Sequence, residues 1–560
     1  MKRTLSTQIH NLYWILLLLS IVIFGFNAGE LMLYGLDETK NAECAREMLQ
    51  RNDWIVPTFN GELRTDKPPL HYYGMMIAYK VLGVNEFAAR FFSLACGVIT
   101  ILSTYRFTQK YFNTRTAWIA ATILLASVHV SIQFRMSVPD PYLIMLMSFS
   151  LMSFFYGYSQ IQTHHSKSRN GFLLFYIGIG LSILSKGPVG LLLPGLIILL
   201  FLILKGDIHF SDGKLKLSIL SKFHIIPGLL LVLLIALPWY IAVHIQTQGE
   251  WTEGFFLKHN LSRYTASMEG HGGIFLITIL YVLVGLLPFS VFLPQSFLLA
   301  WKQRKNNEVL LFSLLVVSVI TGFFMISSTK LPNYTVPAYP FAAILIAYFL
   351  DFVVTTRQYQ KFKAGLIVYL ILMFILPIGI YIVLQQDASL KHLAWLAFLF
   401  LTFPLGAATA WVYYNRNNLS IAYHAVVISF LVTIVVLFGY AYPKVDKENP
   451  VAQTLRLLPD QQTVVGFKLF NPAYVYYLKR SIPVMHDPKE LSLFLRQHPN
   501  AIVISREEFM NELTDIAHWK VLKRRRDTFE SPTTVLLQKE QREITPEQLN
   551  LPQLTTNQGR

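Results

Sequence analysis

Short polar stretches carry the residues that could do chemistry. The first holds Asp37, Glu38 and Lys40, and close behind it comes Asp66-Lys67-Pro68-Pro69. Arg135 and Asp140 follow in R-M-S-V-P-D-P, and Lys186 sits in S-K-G-P. Lys258, His259, Arg263 and His271 share one later segment, and Lys330 and Tyr334 share S-T-K-L-P-N-Y. Carboxylates of this kind take a proton from a hydroxyl or hold a metal. Lysine and arginine hold a phosphate or pyrophosphate. Carboxylates and cations together would suit group transfer from a phosphate.

The elements that must position these residues are membrane spans. Apolar residues make up 53% of the 560, and the mean hydropathy is +0.44. The chain contains about 13 apolar runs of roughly 20 residues, the length that crosses a bilayer. The first, Asn11–Gly29, carries no small-residue cleavage site and reads as a retained helix. The others begin at Phe87, Thr116, Tyr142, Gly171, Val189, Ile225, Gly273, Val309, Thr335, Gly365, His392 and Ile421. Leu70–Leu82 is too short to span and reads as an interfacial helix. The net charge of +16 fits cytoplasmic loops and lipid headgroups rather than nucleic acid. Cys44 and Cys96 fall in unlike surroundings and do not suggest a structural disulfide. No Gly-rich phosphate loop and no metal-finger spacing is present.

Lysine and arginine in the short loops set the orientation. With Lys2 and Arg3 inside, Lys110, Arg115, Lys167, Arg169, Lys205, Lys222, Lys302, Arg304, Arg357, Lys361 and Arg416 also fall inside. The segment Tyr34–Tyr73, the turns at 135–140 and 185–188, residues 246–272, residues 329–334 and the C-terminal tail fall outside. Each candidate has a plain structural reading. Asp37 and Asp140 suit helix caps, Lys67 could snorkel to headgroups, and loop histidines are usually not ligands. What lifts them above that reading is that all of them face one side.

From Tyr442 onward the composition turns polar and strand and helix patterns alternate, which predicts a small α/β domain. Strands are expected at Thr463–Leu469, Ser481–His486 and Ala501–Arg506, with helices at Pro472–Lys479 and Pro488–Gln497. Trp519–Thr528 and Thr533–Leu537 suggest an edge hairpin. The expected organisation is a transmembrane catalytic domain at 1–441, with its first outer loop at 30–86. An outer α/β domain at 442–540 and a loose tail at 541–560 complete it.

The motif residues resemble a known family. They are Asp37-Glu38, Ala45-Arg46-Glu47-Met48, Asp53-Trp54-Ile55-Val56-Pro57, Phe59-Asn60-Gly61 and Asp66-Lys67-Pro68-Pro69-Leu70. Ser185-Lys186-Gly187, the 255–271 segment with Arg263, and Lys330-Leu331-Pro332 with Tyr334 extend the match to about the first 350 residues. The pattern resembles the C-type membrane glycosyltransferases, more narrowly the aminoarabinose transferase family and its protein O-mannosyltransferase relatives. The resemblance implies a polytopic α-helical membrane protein of the bacterial cytoplasmic membrane, with its active site and C-terminal α/β domain facing the periplasm. It implies transfer of a sugar, such as 4-amino-4-deoxy-L-arabinose or a relative of it, from a polyprenyl-phosphate carrier. The acceptor would be a hydroxyl on a lipid A-type glycolipid, a polysaccharide or a protein.

Residue by residue, the resemblance makes Asp37 the base or acceptor-orienting carboxylate and Asp140 a second catalytic carboxylate. Lys40, Lys67, Arg263, Lys330 and Tyr334 would hold the carrier phosphate. Asp66 and His271 would bind a divalent metal, and no nucleotide cofactor is implied. Two positions depart from the family pattern, which usually has glutamate at Asp66 and arginine at Lys40. A lysine keeps the charge but loses the bidentate fork. Two other classes of function fit part of the pattern. A flippase for a lipid-linked sugar predicts paired helix breaks and ionisable residues inside spans, whereas the charges here cluster at one face. A membrane scaffold predicts that Asp37 is dispensable.

Overall fold

The computed structural model describes residues 2–211, 214–261, 274–528 and 531–540. The chain divides into two compact units, 1–447 and 448–560.

The first unit is helical. Each apolar run folds as helix because a backbone in lipid must satisfy its own hydrogen bonds. Eight helices among the described residues are long and apolar enough to cross a bilayer. The number is ten if each of two bent pairs, with bends of 70° and 116°, counts as one span. The chain is therefore a polytopic helical membrane protein. Shorter apolar helices cover Asn11–Gly25 and Val189–Lys205. The count is below the expected 13 for a physical reason. Two of the expected runs fold as those shorter helices, and a third, from Gly171, lies in a helix (His165–Lys186) that opens on polar residues, which dilute its hydropathy.

Helix α1 (Lys2–Gly25) leads into the first outer segment. There α2 (Leu36–Arg51) has no spanning character, with Asp37 and Glu38 in its first turn and Arg51 in its last. That charge order suits the helix dipole. Asn52 ends α2 in the left-handed conformation, with φ 51°. Asp53 Oδ1 then accepts from the amides of Ile55 and Val56 at 2.8 and 3.1 Å. A hairpin follows, β1 (Thr58–Phe59) antiparallel to β2 (Glu62–Leu63). Asn60 and Gly61 form its turn with φ of 57° and 81°, as an Asn-Gly type I′ turn requires. The hairpin rests on α2, where Glu47 accepts from the Thr58 hydroxyl at 2.5 Å and the Gly61 amide at 3.3 Å. Helix α3 (Leu70–Leu82) comes next and is mostly buried on one face. Asn85 caps α4 (Glu86–Tyr111), accepting from the Ala88 amide at 2.9 Å.

Arg90 of α4 ties this outer segment together. Its Nε and Nη2 donate to both oxygens of Glu38 at 2.9 and 3.1 Å. Its Nη1 donates to the carbonyls of Ala28 and Leu31 at 2.8 and 2.7 Å. Glu38 also accepts from the Ser137 amide at 3.0 Å. The ends of α1, α2, α4 and the 135–139 turn therefore meet at one buried ion pair.

Helix α5 (Thr114–Ala126) and α6 (Val128–Phe134) form the 70° bent pair. Helices α7 (Asp140–Ser159) and α8 (His165–Lys186) then pack side by side. Gly171 makes this possible, because a Cβ there would stand 2.6 Å from the Gly157 backbone. Helix α9 (Val189–Lys205) follows the Gly187-Pro188 break, where Gly187 has φ 80°. Its C-terminal end leads to a short antiparallel pair, β3 (His209–Ser211) and β4 (Lys214–Lys216). Helix α10 (Ile225–Gln246) and the turn α11 (Glu250–Glu253) bring the chain back to the outer segment.

The second unit is built on a five-stranded sheet. Its strands are β5 (Val464–Phe467), β6 (Val484–Met485), β7 (Ile502–Arg506), β8 (Trp519–Arg526) and β9 (Thr533–Lys539), in the order β6-β5-β7-β9-β8. Strand β5 runs parallel to β6 and β7, and β9 runs antiparallel to β7 and β8. The expected edge hairpin is present: β8 forms the sheet edge and β9 joins it to β7. Val535, Leu536 and Leu537 are buried on both faces and so need a neighbour on each side. Helices Ala473–Leu478 and Pro488–Gln497 connect the parallel strands.

Two stability predictions follow from the outer segment. Arg90→Met leaves Glu38 buried and unpaired, which costs about 3–5 kcal/mol. Thermal unfolding in detergent should show a lowered midpoint, and an unchanged midpoint would remove this pair from its anchoring role. Glu43 is buried, and burial pushes its carboxyl up to about 7 despite the lowering contact with Arg46. The folded state therefore holds the proton more tightly than the unfolded chain, whose value is 4.5. Stability from this site is present below pH 4.5 and declines as pH rises toward 7. Glu43→Gln should flatten that decline, a difference of about 1–3 kcal/mol. Denaturation at several pH values checks it.

Candidate functional site

A cavity of about 580 Å³ opens where α7, α8, α9 and the loop before α3 converge. Asp66, Lys67, Asp140, Lys186, Asn333 and Tyr334 supply its polar lining. Leu143, Met147, Val189, Leu192, Phe255, Phe323 and Phe324 supply much of its apolar wall. Such a site holds one charged group beside a long apolar one.

Asp140 is the best-ordered carboxylate in it. It opens α7, with prolines on either side, and is 6% exposed. Its Oδ1 accepts from Lys186 Nζ at 2.6 Å and from Asn333 Nδ2 at 2.9 Å. Lys186 comes from the last turn of α8, which the Ser185 hydroxyl fastens to the Pro139 carbonyl at 3.0 Å. Lys186 Nζ also lies 4.8 Å from the Tyr334 ring centre, a cation–π distance. Helices α7 and α8 and the 332–338 turn are thus stitched at one point. The charge on Lys186 is available both to Asp140 and to an anion in the cavity.

Asp66 and Lys67 come from the other wall. Lys67 is buried at 8% exposure, and the Asp66 carboxylate is 30% exposed. Arg64 lies behind Asp66, with Nη2 3.3 Å from Oδ2. The Phe255 ring that lines the cavity is packed at 4.8 Å against Trp251, whose indole donates to the Arg64 carbonyl at 3.0 Å.

The expected residues divide into three groups. Asp66, Lys67, Asp140 and Tyr334 come together in the cavity. Asp37, Lys40 and Lys330 do not line it. Asp37 is exposed in the first turn of α2, and Lys40 lies one turn on, half-buried. The helical register gives the buried side of that turn to Glu38, whose carboxylate Arg90 holds. Lys330 is buried, and its Nζ donates to the carbonyl of Ser327, itself a residue of the cavity wall, at 2.7 Å. Arg263 and His271 lie outside the described residues. Lys186 belongs to the site although the motif reading did not place it there. Its signal was S-K-G-P, where a glycine and a proline end a span beside a cation. Asn333 had no signal beyond its place between Lys330 and Tyr334. Among the described residues, no three His, Cys, Asp or Glu side chains gather as a metal site.

Residues 66–241 match the family described as dolichyl-phosphate-mannose-protein mannosyltransferase. The chain is 28% identical over 320 residues to an undecaprenyl phosphate-alpha-4-amino-4-deoxy-L-arabinose arabinosyl transferase of Photorhabdus laumondii. That match covers 57% of this chain and 55% of the relative. A protein of Aquifex aeolicus is 29% identical over 332 residues, covering 59% of this chain and 62% of the relative. The chain thus matches little more than half the length of these relatives. Its fold is that of ArnT from Cupriavidus metallidurans, crystallised with undecaprenyl phosphate. The TM-score is 0.77 at 22% identity, covering 93% of this chain and 97% of that one. In its fold the chain resembles ArnT, and in its matched segment it is similar to the dolichyl-phosphate-mannose-protein mannosyltransferase family and to the aminoarabinose transferases.

Proposed function

We propose that the protein moves a sugar from a polyprenyl-phosphate carrier to an acceptor hydroxyl at the outer face of a bacterial cytoplasmic membrane. The observation that carries this reading is the Asp140–Lys186–Tyr334 cluster, facing Lys67 across a cavity with apolar walls. A carrier lipid needs cations for its phosphate and apolar surface for its chain. The relatives' names point to the same substrate class.

In this reading the acceptor hydroxyl gives its proton to a carboxylate, and its oxygen forms the new bond to the anomeric carbon. The bond from that carbon to the phosphate oxygen breaks, and the carrier phosphate leaves with the electron pair. Asp140 is the more buried of the two carboxylates that line the cavity, and Asp37 is the second candidate base. Lys67, Lys186 and Tyr334 meet the departing phosphate, and Lys40, Arg263 and Lys330 are the further cations this reading assigns to it. Fixed cations in a partly dry cavity stabilise developing negative charge, with one such contact worth about 2.7–4 kcal/mol. A divalent metal would take Asp66 and His271. Asp66 is already engaged by Arg64, and no step here runs through a metal. Thirteen spans with the basic loops inside would put the 442–540 segment on the same side as the cavity. The acceptor would be a glycolipid of the lipid A type, a polysaccharide or a protein, and aminoarabinose is the first sugar to try.

Purified protein in lipid nanodiscs, given a radiolabelled polyprenyl-phosphate sugar and a total lipid extract, should label a new product. Asp140→Asn should lower the rate by roughly 10²–10⁴-fold, the range for a general base. Bound carrier with no transfer by the wild type would overturn the reading in favour of a transporter or a scaffold. A second prediction isolates the phosphate contacts. Dodecyl phosphate should bind the wild type, and Lys67→Met and Lys186→Met should each weaken it roughly 10–100-fold, as for a lost charged hydrogen bond. Unchanged affinity in a displacement assay would remove that lysine from the site.

A further inference from the structure

A second cavity lies at the other end of the helices that form the first. Asp140 opens α7 and Lys186 closes α8. The second cavity instead takes Ile161, just past the end of α7, and His165, the first residue of α8. Its lining shares no residue with the transfer cavity. Helix α7 is a spanning helix of 20 residues, so about 30 Å separate its two ends. That is the thickness of a bilayer's hydrocarbon core. The second cavity therefore sits at the opposite membrane surface.

Its volume is about 410 Å³, and its lining is basic. His165 and Arg169 come from the first two turns of α8, and Lys222 and His224 from the stretch that leads into α10. Ser166 adds a hydroxyl. Ser168 fixes one wall, because it is buried and its hydroxyl donates to the Gly157 carbonyl of α7 at 2.9 Å. Among the described residues, no carboxylate lines the cavity. Asp207, which approaches the end of α7, is engaged by the Tyr158 hydroxyl at 2.7 Å. The side chains of His165, Arg169, Lys222 and His224 form no hydrogen bond or ion pair with a described residue. Arg169 and Lys222 carry full charges around one space with no acid to offset them. A histidine offers at least one N–H donor in either charge state. Cations with N–H and O–H donors around them are the donor set that a phosphate takes.

Two further observations agree. Helices α8 and α10 both begin here, and neither has an acidic residue in its first turn or a side-chain cap. The start of a helix carries partial positive charge, which adds to the field of the cations. Further along both helices the surface is apolar, with Leu173 and Leu174 of α8 and Ile226, Leu229 and Leu230 of α10 exposed. We propose that this cavity binds a phosphate anion, and that in the membrane its occupant is the headgroup of an anionic phospholipid. The phosphate meets Arg169 and Lys222, and the acyl chains lie against the exposed leucines and isoleucine. Basic pockets between helices at a membrane surface hold such headgroups. The proposal does not depend on the transferase reading.

The test uses the full chain purified in detergent, with native mass spectrometry to count phosphatidylglycerol and phosphatidylcholine bound at matched concentrations. The wild type should favour phosphatidylglycerol. Arg169→Gln and Lys222→Gln should each weaken phosphatidylglycerol binding roughly tenfold, as for a lost charged hydrogen bond. Lys305 is an exposed cation outside the cavity, and Lys305→Gln removes the same charge. It should leave the binding unchanged. An equal loss in Lys305→Gln means diffuse surface attraction and would overturn the proposal. Wild-type binding in both cavity variants would overturn it too. If one cavity variant does not fold, the other and the comparison of the two lipids still decide.

A second measurement separates a lipid headgroup from free phosphate. Inorganic phosphate is titrated into the same protein and followed by phosphorus NMR line broadening. Phosphatidylglycerol preference without saturable broadening at millimolar phosphate supports the lipid headgroup. Saturable broadening that Arg169→Gln abolishes, with no preference between the two lipids, assigns the cavity to free phosphate and overturns the lipid occupant. Neither broadening nor lipid preference overturns the anion site itself.

Discussion

The buried ion pair between Arg90 and Glu38 is the constraint on which the outer face depends. Arg90 spends its donors on Glu38 and on the carbonyls of Ala28, Leu31 and Met32 in the segment after α1. Glu38 in turn accepts from the Ser137 amide, three residues before Asp140. One desolvated pair thereby sets the distance between the first outer segment and the mouth of α7. Both walls of the cavity are referenced to it. Replacing only one partner would leave a bare charge in a medium of low dielectric, which is far worse than losing the pair together.

The cavity itself solves a problem of mixed polarity. A lipid-linked phosphate brings a doubly hydrophilic head on a long apolar chain. The protein answers with lysines at the ends of elements and with leucine, valine and phenylalanine along them. Lys186 and Asp140 neutralise each other at 2.6 Å while the cavity is open, so neither stands as an isolated buried charge. In the proposed transfer, an incoming phosphate would take over Lys186 and release Asp140 to act as the base.

Several residues that make the motif recognisable do no chemistry. Asp53 closes the turn after α2, and Asn60-Gly61 forms the tight turn of the hairpin. Glu47 carries that hairpin on α2. Their types were readable because turns demand particular side chains and φ values. Asp37 and Glu38 were harder. Adjacent acidic residues look alike in a sequence, and only the rotation of α2 decides which one is buried against Arg90. Lys330 had the charge and the side expected of a phosphate ligand, yet a nearby carbonyl claims its ammonium group.

The sequence by itself determined the membrane-protein class, the helical runs, and the alternating strands and helices of the second unit. These follow from hydropathy, periodicity and turn chemistry, which act over a few residues. Tertiary structure alone decided which charges meet. Asp140, Lys186 and Asn333 lie far apart in the chain, and their contact depends on how α7 and α8 pack at Gly157 and Gly171. It also made β9 an interior strand and placed Arg64 behind Asp66. Pairing between distant side chains depends on distances that folding sets, and no local pattern encodes those distances.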